Sequence, residues 1–131
     1  METICGARAA FACLAQDSAE YRACSDKANT QSEMTACASE EAARVDAKLK
    51  TTYRALLARV TSQPEALAKI KAAERAWIAY RDAYIEATYP AEDKAIEYGS
   101  IYPLDINLLR AKLTRRQVAA LEDMLLHYTP K

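Results

Sequence analysis

Apolar residues return at three- and four-residue steps along the middle of this chain. Met34, Ala38, Ala42, Val45, Leu49, Tyr53, Leu56 and Val60 trace one stripe about seven turns long, the mark of an amphipathic helix. Thr30-x-x-Glu33 stands at its start as a capping box. After a turn over Thr61 to Pro64, Ser62-x-x-Glu65 forms a second box. It opens a helix lined by Leu67, Ile70, Ala73, Trp77, Tyr84 and Ile85. Pro90 ends that helix near Thr88 or Tyr89, because the residue before a proline avoids the helical region. So short a link makes the two long helices antiparallel. Upstream, Asp17 or Ser18 caps a shorter helix that runs to about Ala28, with Tyr21 and Cys24 on one face, and Asn29-Thr30 breaks it. Downstream, a helix from about Asp105 to His127 carries Leu109, Leu113, Leu121 and Leu125. The pattern predicts an all-α domain over residues 1–131: a long antiparallel hairpin, a third C-terminal helix and a short N-terminal helix or helices.

Composition agrees with that pattern. Of 131 residues 51% are hydrophobic, much of this alanine, and only two glycines and four prolines interrupt them. Such a chain favours helices over a sheet with many tight turns. The four cysteines allow three pairings, and their spacing suits no zinc site; an oxidising compartment is favoured over a metal or redox role. If residues 5 to 13 formed one helix, Cys5 and Cys13 would stand about 12 Å apart, too far to bond locally. No apolar run approaches the length of a membrane span. The formal net charge is zero, which gives no reason to expect a nucleic acid or an anionic membrane as partner.

Candidate chemistry is sparse. His127 is the lone histidine and lies beside Tyr128 near the C-terminus. Glu40-Glu41 and Glu122-Asp123 are neighbours that point apart on a helix, and so read as solvated charge. With no nucleophile elbow or phosphate loop either, neither enzyme activity nor a cofactor or metal site is expected. The block Glu74 to Asp82 carries more information. Trp77 and Arg81 are four apart, so the guanidinium can stack on the indole, and Tyr80 and Tyr84 widen the aromatic face. That block either anchors the core or forms a binding surface, and core packing is the favoured reading. Arg81 on an apolar face needs a carboxylate, for which Asp46 is the first candidate, with Asp82 expected to point outward. Residues 90 to 103, bracketed by prolines, form the least regular connection. They carry Ile96, Tyr98, Ile101 and Tyr102, and either cap the bundle or make the functional contact.

Taken in order, several landmarks give a family resemblance. They are Cys24-Ser-Asp-Lys-Ala, Thr30-Gln31, Glu33-Met34-Thr35-Ala36-Cys37-Ala38, then Asp46, Leu49 and Tyr53, then Trp77-Ile78-Ala79-Tyr80-Arg81-Asp82, Gly99-Ser100 and Leu113-Thr114. This chain resembles the LprI-type lysozyme-inhibitor family of small exported bacterial proteins, from Cys24 to about Leu121. Ile85 and Leu109 stand where that family often has two further cysteines. A lost disulfide replaced by apolar packing implies that Cys24 and Cys37 pair with each other. Arg115 and Arg116 both follow Leu-Thr, where the family tends to place an arginine.

The resemblance implies a periplasmic or secreted protein, with Met1 beginning a trimmed mature form from which a signal peptide is absent. It implies a binding protein that inhibits a lysozyme or other cell-wall hydrolase; the long aromatic connection over residues 91–102, with Tyr98, Ser100 and Tyr102, is the surface expected to occlude the enzyme's cleft. Trp77, Tyr80, Arg81, Asp46 and Tyr53 would hold the scaffold. The alternative is an envelope adaptor that docks a helical partner and inhibits nothing, which a neutral net charge favours slightly, since lysozymes are commonly basic.

Overall fold

The computed structural model describes residues 17–130. Among the described residues five α-helices run in chain order: α1 over Ala19–Lys27, α2 over Gln31–Arg59, α3 over Pro64–Thr88, α4 over Lys94–Tyr98 and α5 over Tyr102–His127. A single 3-10 turn, Gly99–Ile101, joins α4 to α5. Cys5 and Cys13 lie outside the described residues.

Local chemistry sets the helix ends. The Ser18 hydroxyl accepts from the Tyr21 amide at 3.1 Å and caps α1. Thr30 caps α2 by accepting from the Glu33 amide at 3.1 Å, and Glu33 reaches back to the amide of Asn29 at 2.7 Å, one residue beyond the usual box. The second box does not form. Gln63 is the N-cap of α3 and makes no side-chain cap bond; Pro64 in the first turn, with φ preset for a helix, starts it instead. The connection before α5 is more ordered than expected, because α4 and the 3-10 turn fill it and α5 begins at Tyr102 rather than Asp105.

The three long helices run up, down and up. Gln31 lies beside Ser100, Ala38 packs in one cluster with Leu104, and Lys48 reaches Glu122, so α2 and α5 are parallel. Glu74 meets Gln117 and Tyr89 meets Tyr102, so α3 is antiparallel to α5. The most extensive contact is between α2 and α5. Small side chains explain it: Ala38, Ala111 and Thr114 are buried along these helices and let the two axes approach closely. One apolar cluster joins Val45, Leu49, Leu56, Val60, Ile70, Ala111, Val118 and Leu121, with Tyr53 and Trp77 partly buried against it. Leu121 seats α5 on the same cluster that receives Val60 and Ile70 from the two sides of the α2–α3 turn, so burial alone fixes three helices together.

The N-terminal helix needs more than burial. Tyr21, Cys37, Ala38 and Leu104 form a second, smaller cluster beneath α1. The disulfide Cys24–Cys37, with its Cα atoms 5.7 Å apart, ties α1 to the first turns of α2. No helix of the described residues is long and apolar enough to cross a membrane.

Candidate interaction surface

Two places in the structure bring polar chemistry together, and they serve different ends. The first is a charge cluster between α1, α2 and α5. Glu41 is 0% exposed although its neighbour Glu40 is exposed, so the reading of both as solvated charge is corrected. Glu41 lies four residues from Cys37 and from Val45, on the row that faces α5 and the start of α1. The Ser18 amide and hydroxyl each donate to it at 2.7 Å. Arg115 donates from Nη2 at 2.8 Å, and Arg44 from Nη2 at 3.2 Å. Burial pushes the Glu41 carboxyl up, but the Ser18 hydrogen bonds, the Arg115 charge and the Arg44 hydrogen bond outweigh it and hold the group below the ordinary glutamate range. Arg115 is thus the arginine after Leu-Thr that turns inward, while Arg116 is exposed. Asp17 approaches the other Arg115 nitrogen at 3.9 Å. A cavity of about 430 Å³ opens over this cluster. Its central groups bond to one another except Arg115 Nη1, which is buried without a hydrogen-bond partner, and the bonds from Ser18 to Glu41 and from Arg115 to Glu41 clamp α1 onto the bundle.

The second place is the end of the bundle closed by α4, and it is a surface. Tyr89, Tyr98 and Tyr102 form a triad there. Tyr89 meets the other two rings edge-on, with centroids at 5.2 and 5.3 Å, and Tyr98 stacks on Tyr102 at 5.7 Å. The Tyr98 hydroxyl accepts from the Ala91 amide at 2.9 Å. Burial, then the nearby Asp105 carboxylate and the two partner rings, push the Tyr89 hydroxyl up in pKa. Lys94 reaches back beneath α4: its Nζ donates to Tyr89 O at 2.7 Å, Ala91 O at 2.9 Å and Glu86 Oε2 at 3.3 Å. It thereby closes the C-terminus of α3, which has no basic residue in its last turn. Gly99, at φ 76° and ψ −166°, turns the chain out of α4 in a conformation only glycine adopts comfortably. The Ser100 hydroxyl donates to Gln31 Oε1 at 3.1 Å and pins the turn to α2.

The cap is therefore braced from beneath, and what it presents outward is isoleucine. Tyr98 and Tyr102 are half-buried in the triad, whereas Ile96 on α4 is 81% exposed and Ile101 in the 3-10 turn is 42% exposed. The mutual bracing of Tyr98 and Tyr102 depends on Tyr89 across the Pro90 turn, which their spacing in the sequence does not show.

The aromatic block of α3 divides between core and surface. Trp77 is half-buried, packed on the main cluster, with the Arg81 guanidinium 5.2 Å from its ring centre. The pairing expected between Arg81 and Asp46 is not made. Arg81 Nε donates to Asp82 Oδ1 at 3.1 Å, and Asp46 takes Lys50 at 3.2 Å. Both acids find a base within one turn of their own helix, which orders fewer side-chain torsions than an interhelical bridge. Arg81 and Asp46 line the same gap of about 310 Å³ between α2, α3 and α5 without touching. Tyr80 is 59% exposed and stacks obliquely on Tyr84 at 6.0 Å, so it belongs to the outer face of α3 and not to the scaffold.

These elements make a small helical domain with a disulfide-stapled helix and an ordered cap. The family model described as Lysozyme inhibitor LprI matches residues 24–121, most of the chain, and the chain belongs to that family. An uncharacterized protein of Rhizobium meliloti (strain 1021), R02472, is 32% identical over 111 residues, and the match covers 76% of each chain. No solved structure matches.

Proposed function

We propose that this protein is an exported inhibitor of a peptidoglycan-cleaving hydrolase, and that it acts by inserting the α4 cap into the enzyme's sugar-binding cleft. The observation that carries the reading is the exposure of Ile96, 81%, on a cap braced by three tyrosines, in a chain of the lysozyme-inhibitor family. Removing that isoleucine from water in an apolar subsite contributes about 1.5–3 kcal/mol, enough for a tenfold to hundredfold gain in affinity. Bracing matters as much as area, because a cap that is already ordered loses little entropy on binding. Tyr98, Tyr102 and Ser100 then hold the edge of the contact, with the tyrosine rings taking the place of stacked sugar.

A second reading has its own support. Ile78, Tyr80 and Tyr84 are exposed on α3, and such a face suits an adaptor that docks a helical partner. Enzyme assays separate the two. Titration of the protein into a panel of muramidases and amidases is expected to slow at least one of them at micromolar concentration, with Ile96→Asp losing inhibition and Tyr80→Ala retaining it. No inhibition across the panel would replace the inhibitor with the adaptor.

A further inference from the structure

The zero net charge conceals a sharp separation of charge along the bundle. Between Asp82 and Leu109 the sequence holds six acidic residues and one base, Lys94, so the rest of the chain carries the matching positive excess. Asp82 is answered by Arg81. The other five acids, Glu86, Glu92, Asp93, Glu97 and Asp105, all lie at the cap end. The single base there cannot offset them on the outer surface, because the Lys94 ammonium is turned inward onto Tyr89 O, Ala91 O and Glu86. Glu92, Asp93 and Glu97 are exposed and lie within four residues of Ile96, Glu97 on its short helix, Asp93 at the N-cap and Glu92 just before it. The neighbouring ends of α1 and α2 add Asp26 and Glu33 against Lys27, so they do not reverse the sign.

An acidic rim around an exposed apolar tip selects its partner by charge as well as shape. We infer that the α4 cap is built for a cationic hydrolase, with Glu92, Asp93 and Glu97 facing basic residues at the mouth of the cleft and steering the encounter while Ile96 seats inside. The inference rests on the inhibitory reading above. It removes the objection that a neutral protein gains no electrostatic advantage on a basic enzyme, because steering depends on the field at the approaching face and not on the total charge.

Rim charges and a central apolar anchor leave different kinetic marks. The first acts on association and is screened by salt; the second acts on dissociation. The test measures association and dissociation rates on a strongly basic lysozyme and on a neutral or acidic muramidase, at low and high salt. For wild type, association with the basic enzyme is expected to fall by about tenfold or more as salt rises from roughly 0.02 to 0.5 M, with little change for the other enzyme. Glu92→Lys with Glu97→Lys is expected to slow association by a similar factor at low salt and to leave dissociation within about threefold. Neither side chain bonds within the described residues, so circular dichroism should stay unchanged. Ile96→Ser is expected to speed dissociation and leave association alone. Inhibition that persists with association indifferent to salt and to the charge reversal overturns the inference and leaves the inhibitor reading standing. An absence of both binding and inhibition on every hydrolase overturns the two together.

Discussion

Replacing Glu41 by leucine tests the charge clamp on which the N-terminal helix depends. The carboxylate is fully buried and accepts two bonds from Ser18 and one from Arg115, whose side chain is itself only 15% exposed. Arg44 contributes less, because its side chain is 38% exposed and solvent screens it. Loss of Glu41 strands the Arg115 charge with Asp17 at 3.9 Å as its nearest acid, and strips Ser18 of its acceptor. Breaking a buried pair from one side costs about 3–5 kcal/mol, and the orphaned Ser18 donors place this case toward the upper end. For a chain of this length that lowers Tm by about 10–20 °C. Arg115→Met should cost less, near about 3 kcal/mol, because Ser18 still holds the carboxylate. The double variant Glu41→Leu with Arg115→Met removes both charges and should recover most of the loss, which urea unfolding read by circular dichroism and Trp77 emission would measure. A loss below about 1 kcal/mol for Glu41→Leu, or a double variant no better than the sum of the singles, would refute the clamp.

Three further outcomes follow from other elements. The Glu41 carboxyl is held below its ordinary value of 4.5, so its contribution is complete above that pH and is lost as pH falls through the lower folded value; acid titration of stability should therefore be flatter for Glu41→Leu than for wild type. Cys24→Ser with Cys37→Ser opens a loop of 13 residues' separation and should cost about 3 kcal/mol in urea unfolding, whereas an unchanged midpoint would mean that α1 is held by its other contacts alone. Gly99→Ala meets no atom within 4 Å yet forces alanine to φ 76°, so a thermal melt should show a loss of about 1–3 kcal/mol from backbone strain alone, and no loss would mean the turn relaxes freely.

How much of this was written in the sequence depends on the range of the interaction concerned. The α2 stripe from Met34 to Val60 and the stop at Pro90 were legible because helical period and proline sterics are local. So was the Thr30 cap. Ser62 misled for the same local reason, since Pro64 settles the helix start without it. The burial of Glu41 is hard to read locally because its acceptor role depends on Arg115, 74 residues away; its place between Cys37 and Val45 in the four-residue row is the available signal. The Cys24–Cys37 bond came from resemblance, not from spacing. At the cap, the tyrosines stood out as large aromatics, but only the fold shows that they brace one another and leave Ile96 outside. The run of acids after Arg81 was present in the sequence all along, hidden by a net charge that sums to zero.

On the proposed reading the cap and an oligosaccharide occupy the same sugar-binding cleft of the hydrolase. Competition tests this most directly: a lysozyme that this protein inhibits is titrated with the protein in the presence of increasing chito-oligosaccharide. The apparent Kd is expected to rise in proportion to the sugar, and Ile96→Asp is expected to abolish binding while the fold persists. Binding that is indifferent to the oligosaccharide would contradict occlusion of the cleft.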